Sequence, residues 1–416
     1  MGTFWSIKGD KMKILHTSDW HLGKALENFS RIEEQEKFLE DFVNIVEEND
    51  VDLVIIAGDV YDSFNPPAKA ETLFYNTLKK LSNGNRVVLV IAGNHDNPER
   101  LSAASPLAYD QGVILLGIPK SIVPTGDFGK FKILDSGEGF FEIEIKGEKA
   151  VIIALPYPSE KRLNEIFTAE LDEEKRQKSY SERVGEIFND LSKKYREDTI
   201  NIAVSHIFVA GGEESGSERP IQLGGSFTVE IRHLPQKAQY IALGHLHKPQ
   251  RISSTLPAYY SGSPLQYSKS EMNHSKCAYL VDLKAGEPAL VKEIYFKNYK
   301  PIEVFRCNGI EEALEICNEY RDKDIWAYFE IKTEFPLPSS KIKEMKSILP
   351  DIVEIKPILP EDEMEIEDYE IDDKSVKELF EEFYLKENKV SPTEEVLELF
   401  MSIVKEEDEE DETSEA

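Results

Sequence analysis

Short apolar runs punctuate the first 245 residues at intervals that leave room for a helix between successive runs. Runs at 13–18, 52–57, 86–92, 112–116, 150–155, 200–205 and 239–243 are rich in Val, Ile and Leu and stop at Gly, Asp or His, or in one case at Pro156, which predicts buried strands. Between the first two, Arg31 to Glu48 places Phe38, Leu39, Phe42, Val43, Ile45 and Val46 near helical spacing, and 68–82 and 174–195 read the same way. Strands alternating with covering helices predict an α/β layer fold, a β-sandwich flanked by helices. After Gly244 the pattern shortens to strands around 257–261, 277–283 and 290–296, expected to form a second sheet closing the domain that spans 12–300.

Segment 301–358 reads separately as strand, helix, strand, helix, strand (IEVFRC, GIEEALEICNEYRD, WAYFEIKT, SSKIKEMKSIL, DIVEIKPI), a small α+β capping domain. Pro357 and Pro360 mark its end, and an acidic linker, 359–373, follows. The C-terminal helical tail, 374–405, carries two apolar faces: Val376, Leu379, Phe380 and Phe383 on one helix, and Val396, Leu397, Leu399, Phe400, Ile403 and Val404 on the next. Ser391-Pro392-Thr393 supplies the second helix start. Two short tethered helices bury little alone, so a partner is expected to receive those faces. Residues 406–416 read as a disordered acidic tail, and 1–11, ahead of Met12, as an extension without assigned function.

Charge changes this picture little. The net -30 argues against a chain that grips nucleic acid over its whole surface, yet 24 acidic residues against 5 lysines place -19 of it in 361–416. The rest can still present a basic groove. Three cysteines, Cys277, Cys307 and Cys317, without C-x-x-C spacing exclude a disulfide framework or a cysteine zinc site and fit a reducing cytoplasm. No apolar stretch approaches the roughly 18 residues that span a bilayer.

The chemistry sits where the strands stop. Asp19-Trp20-His21 follows the first run, Gly58-Asp59 the second, Gly93-Asn94-His95-Asp96 the third, His206 ends the sixth, and Gly244-His245-Leu246-His247 follows the seventh. Each motif alone is common; five at strand ends converge on the edge where α/β sheets bind ligands. Phosphodiesters repel nucleophiles and release a poor leaving group, and two divalent cations relieve both problems. Asp59 is the candidate bridge; Asp19 and His21 reach one cation from a single turn, and Asn94, His206, His245 and His247 complete the set. Nitrogen and oxygen donors without thiolate suit manganese, iron or zinc. His95 is expected to steady the phosphate and protonate the leaving oxygen, with Asp96 orienting its ring. His16, inside a strand, reads as core or support. The glycine-rich loop GGEESGSERP, 211–220, lacks the phosphate-cradling G-x-x-x-x-G-K-[ST] pattern, so any ATP dependence belongs to a partner. Lys24, Arg31, Arg100, Lys248 and Arg251 lie next to these motifs and are candidate phosphate clamps. On the motifs alone, a phosphoesterase acting on a small substrate remains open.

ILHTSDWHLGK (14–24), IIAGDVYDSFNPP (55–67), IAGNHDNPERLSAASPL (91–107), SHIFVAGGEESGSERPIQLGG (205–225), YIALGHLHKPQ (240–250) and YYSGSPLQYSKSE (259–271) together resemble the calcineurin-like metallophosphoesterases, and within them the SbcD family of DNA repair nucleases. The likeness covers about residues 12 to 300, extends to 301–358 in layout only, and reaches the tail as helices where that family holds its partner. It implies a manganese-dependent nuclease that degrades duplex DNA from its ends and cuts single strands and hairpins, a homodimer bound to the ATPase SbcC. By motif position it implies that Asp19, His21, Asp59 and His247 hold one manganese, that Asp59, Asn94, His206 and His245 hold the other, and that His95 is catalytic. Asp62 departs from relatives that carry histidine there, so no second assisting histidine is implied.

Overall fold

The computed structural model describes residues 11–83, 86–164, 173–218 and 228–359, with isolated positions between 380 and 400. The chain divides into two compact units, Met1–Ile358 and Leu359–Ala416.

Two sheets face each other in the first unit. A six-stranded sheet runs in the order Leu290–Tyr295, Cys277–Leu283, Met12–Thr17, Leu53–Ala57, Val87–Ile91, Val113–Leu116, its last four strands parallel. An eight-stranded sheet is centred on Glu148–Leu155, Ile200–His206, Tyr240–Gly244 and Ala258–Tyr260, also parallel. Alternate side chains of each strand point to opposite faces, and the sequence fills both. Ile14, Ile55 and Leu89 meet Ile143, Ile152 and Ile202 between the sheets. Leu15, Val54, Ile56 and Val88 pack outward under helices Ile32–Glu48 and Ala68–Leu81 through Phe38, Phe42 and Phe74. Tyr180, Val184 and Phe188 of helix Glu173–Leu191 cover the other sheet through Ile153, Ala203 and Ile241. Strands buried on both faces therefore read as unbroken apolar runs rather than alternations. Each fully buried Val, Leu, Ile or Phe stabilises the unit by roughly 1.5–3 kcal/mol.

Two expectations change. The strands at 277–283 and 290–295 do not build a second sheet; they return antiparallel beside Met12–Thr17 and extend the first. The second sheet takes the strands from 148 to 260 instead. Its outer part comes from the hairpin Phe131–Gly137 and Phe140–Ile145, which sequence reading passed over. Phe131 and Ile133 alternate with exposed Lys132 and Leu134, a half-buried edge pattern that a search for continuous apolar runs misses.

Register matters for function. Thr17 lies opposite Ile56, Ala57 opposite Ile91, and His206 opposite Gly244, so the motif-bearing ends lie level along each sheet.

Residues 301–358 form the expected β-α-β-α-β array. Strands Ile302–Cys307, Trp326–Lys332 and Ile352–Ile358 run parallel, and helices Ile310–Glu319 and Ser339–Ile348 pack on one face through Leu314, Cys317 and Met345. Stepwise right-handed crossovers in one direction place both helices on the same side. The opposite face docks Ile302, Trp326 and Tyr328 onto Leu26 and Phe29 of a two-stranded hairpin just beyond the first metal motif.

Within the second unit, the rings of Phe380 and Phe400 stack with centroids 3.8 Å apart, and the amides of Val396 and Leu397 donate to the Thr393 carbonyl, both at 3.1 Å. At this point the two faces expected to seek a partner meet each other. The rest of the expected helix pair, the linker beyond Leu359, the tail 406–416 and extension residues 1–10 lie outside the described residues. Among the described residues no helix is long and apolar enough to cross a membrane.

Candidate metal centre

Five of the chain's eight histidines gather at the strand ends with Asp19, Asp59 and Asn94. Ligand atoms of Asp19, His21 and His247 lie within 4.8 Å of one another, as do those of His21, Asp59 and His95 and those of Asp19, Asp59 and His206. Asp59 belongs to two of these groups, as do Asp19 and His21, so the three groups overlap in one place. Asn94 Oδ1 is 2.9 Å from His206 Nε2 and 3.3 Å from His245 Nδ1, which brings all seven expected ligands and His95 into one cluster.

Backbone geometry aims these side chains. Among the described residues, eight other than glycine adopt positive φ, and four of them are Asp19 (54°), His21 (45°), Asp59 (47°) and His245 (111°). Such conformations cost on the order of 1–3 kcal/mol each and persist only where surroundings overdetermine them. Here Asp19 N donates to Gly58 O, His21 N to Asp59 O and His245 N to Asp19 Oδ1, each at 3.0 Å. The motif glycines are equally constrained. A Cβ on Gly93 would lie 2.1 Å from Asp59 Oδ1, and one on Gly244 would lie 1.9 Å from Ala57 O.

The donor set itself tests whether a cation fits. His206 Nδ1 lies 2.9 Å from the Ala57 carbonyl, an acceptor only, so Nδ1 carries the proton and neutral His206 leaves Nε2 bare. That Nε2 faces Asn94 Oδ1 at 2.9 Å and Asp59 Oδ2 at 3.4 Å, three lone-pair atoms converging on one point. Burial alone would lower the His206 pKa, but the adjacent Asp59 and Asp19 carboxylates overcome it and push the ring up to about 9. The two carboxylates thus favour positive charge at this point. On the other side, His21 Nε2 and His247 Nε2 approach to 3.0 Å with Asp59 Oδ2 3.6 Å from His21. Burial drives His21 down to about 3 and so keeps it neutral. Burial pushes Asp19 up to about 6; it would also raise Asp59, but His206 beside it, by charge and hydrogen bond, holds Asp59 well below the usual range. Imidazoles around a shared carboxylate, with no thiolate, suit divalent cations.

His95 sits differently. Its amide donates to Asp59 Oδ1 at 2.9 Å, its Nδ1 donates to the Asp62 carbonyl at 2.7 Å, and its Nε2 stays 4.0 Å from Asp59 Oδ2. The orienter is thus the Asp62 backbone, which corrects the expectation for Asp96. The buried Asp96 carboxylate instead accepts from the amides of Val60, Tyr61 and Gly93, tying the second motif loop to the third. Asp62 also bonds Lys24 at 2.8 Å and lies 3.5 Å from His21 Nδ1.

The candidate DNA clamps divide. Arg31 is 2% exposed, chelated by Glu34 and bonded to Gln266 O, so it is a structural cation and not a surface clamp. Its placement early in an amphipathic helix hid this, because the Gln266 carbonyl comes from elsewhere in the chain. Lys24, Arg100, Lys248 and Arg251 reach the surface, although each has a neighbour: Asp62, Glu71, Glu213, and the Tyr259 ring with Ser254 O. His16 is buried between the sheets, 2.9 Å from Tyr240 Oη. Sequence reading missed Gln35, whose amide donates to His21 O and accepts from Gly23 N, and the buried pair Glu271 and Lys276 beside His247.

The calcineurin-like phosphoesterase family model matches residues 12–249. The SbcD component of the SbcCD nuclease from Bacillus subtilis is 40% identical over 405 residues, covering 96% of this chain and 100% of that protein. The Staphylococcus epidermidis protein of the same name is 27% identical over 374 residues, 90% of this chain and 92% of that one. The chain therefore belongs to the calcineurin-like phosphoesterase family and, within it, to the SbcD family.

Proposed function

We propose that this chain is the nuclease subunit of an SbcCD-type DNA repair complex, hydrolysing DNA phosphodiesters with two divalent cations, most readily Mn2+. The observation that carries it is the single buried cluster in which Asp59 lies within reach of His21, His95 and His206. Asp19, His21, Asp59 and His247 would hold one cation and Asp59, Asn94, His206 and His245 the other. When bound, the pair offsets phosphate charge and makes water a nucleophile at neutral pH. His95, fixed through Nδ1 to Asp62 O, keeps Nε2 for the phosphate and for protonating the leaving oxygen. Lys24, Arg100, Lys248 and Arg251 would exchange their present neighbours for DNA phosphates.

The finer assignment is double-strand exonuclease activity, stimulated by ATP through SbcC, and endonuclease activity on single strands and hairpins, in the cytoplasm. The assembly is a homodimer within a heterotetramer. Residues 12–300 are the nuclease domain, 301–358 the capping domain and 374–405 the SbcC-binding helices. Full-length chain with Mn2+ is expected to degrade linear duplex DNA or nick single strands. Absence of cleavage with and without SbcC and ATP defeats the proposal, and faster turnover of a small aryl phosphodiester than of a DNA hairpin favours a small-substrate phosphoesterase.

A further inference from the structure

The glycine-rich loop at 211–218 has no nucleotide pattern, yet its far end reaches the metal centre. Ser217 Oγ is 2.5 Å from His247 Nδ1 and 2.5 Å from Glu271 Oε1, while the amide of His247 donates to Glu218 Oε1 at 2.9 Å. Behind Ser217, Glu271 is fully buried and paired with Lys276, itself only 6% exposed. Lysine is almost never buried to this degree without a dedicated partner. The ammonium of Lys276 has three donors and meets three acceptors: Glu271 Oε2, Ser263 Oγ at 2.8 Å and the His247 carbonyl at 2.9 Å. The same lysine thus neutralises Glu271 and grips the backbone of His247.

Proton counting fixes the direction of this chain of hydrogen bonds. Glu271, ionised against Lys276, only accepts. The single Ser217 hydroxyl proton therefore goes to Glu271, and Ser217 Oγ accepts from His247 Nδ1–H. A neutral His247 protonated at Nδ1 leaves Nε2 bare, and Nε2 is the atom that faces His21 Nε2 at 3.0 Å inside the cluster. We propose that Ser217 and Glu271, anchored by Lys276, are positioning residues that fix the ring orientation and tautomer of His247 for a divalent cation. The inference rests on the reading of His247 as a ligand. Partners of this kind orient metal-binding imidazoles elsewhere, and their loss typically weakens metal affinity about 10- to 100-fold.

Titration calorimetry of full-length protein with Mn2+ tests it, using wild type, Ser217→Ala, Ser217→Thr and Glu271→Gln, with the melting temperature of each metal-free protein recorded alongside. Ser217→Ala is expected to weaken one of two Mn2+ sites about 10- to 100-fold at unchanged metal-free melting temperature, and Ser217→Thr, which restores the hydroxyl, to recover most of the affinity. Glu271→Gln is expected to weaken the same site. Two wild-type sites that persist with equal affinity in Ser217→Ala overturn the inference and leave the metal centre standing. Failure of Ser217→Thr to recover affinity also overturns it, because packing alone would then explain the loss. Fewer than two sites in wild type overturn the metal-centre reading first, and this inference with it.

Discussion

Asp59 and His95 are neighbours with separable tasks. One Asp59 oxygen accepts the His95 amide while the other faces His21, His95 and His206, so removing that carboxylate removes the centre of the cluster. Asp59→Ala is therefore expected to lose bound metal and activity together. His95→Ala is expected to keep metal and slow cleavage by about 10²- to 10⁴-fold, the usual worth of a general acid; metal analysis beside single-turnover cleavage separates them, and equal metal loss in both reverses the assigned roles. Glycines carry information of the same grade. Gly93→Ala would drive a methyl to 2.1 Å from Asp59 Oδ1, with backbone close behind, so overpacking of about 1–3 kcal/mol and a loss of metal binding are expected from denaturation and metal analysis. Metal uptake at wild-type affinity in Gly93→Ala would show that the third loop has more freedom than its contacts indicate.

At the level of elements, the first turn of the Ile32–Glu48 helix does three jobs. Gln35 fastens the His21 loop, Arg31 is buried on the helix's own Glu34, and Glu34 also accepts from Trp326 Nε1 at 2.9 Å. The capping array is thereby joined to the helix that supports the first metal motif. Glu34→Ala leaves the Arg31 guanidinium buried beside the Gln266 carbonyl without its counter-ion, and breaking such a pair costs about 3–5 kcal/mol. Urea denaturation is expected to show that loss, whereas an effect below about 1 kcal/mol would place this pair with ordinary surface pairs. The Arg31–Glu34 pair spans three residues, but the bond to Trp326 was not legible locally, since Glu34 and Trp326 stand 292 residues apart. The helix itself was legible, because its apolar stripe repeats at a fixed interval.

At the scale of the molecule, acidity and chemistry fall in different units of the chain: the strongest run of negative charge lies in the sequence 361–416, while the candidate centre lies in the first compact unit. Deleting 370–404 is expected to leave intrinsic nuclease activity in place and abolish co-purification with SbcC. Retained co-purification would move the partner contact elsewhere. The stacked Phe380 and Phe400 rings join one residue from each of the two expected apolar faces.

The sequence by itself determined the strands buried on both faces, the helix stripes, the acidic tail and the identity of all seven candidate ligands with His95. These depend on local spacing and on which side chains donate to metals, and both are written along the chain. Tertiary structure decided what distance in sequence conceals. It sent strands 277–283 and 290–295 back to the first sheet, replaced Asp96 by the Asp62 carbonyl behind His95, and withdrew Arg31 from the surface. It also brought Ser217, Glu271 and Lys276 to His247. A hydrogen bond or an ion pair depends on position in space, and between residues far apart in sequence only the folded sheets set that position.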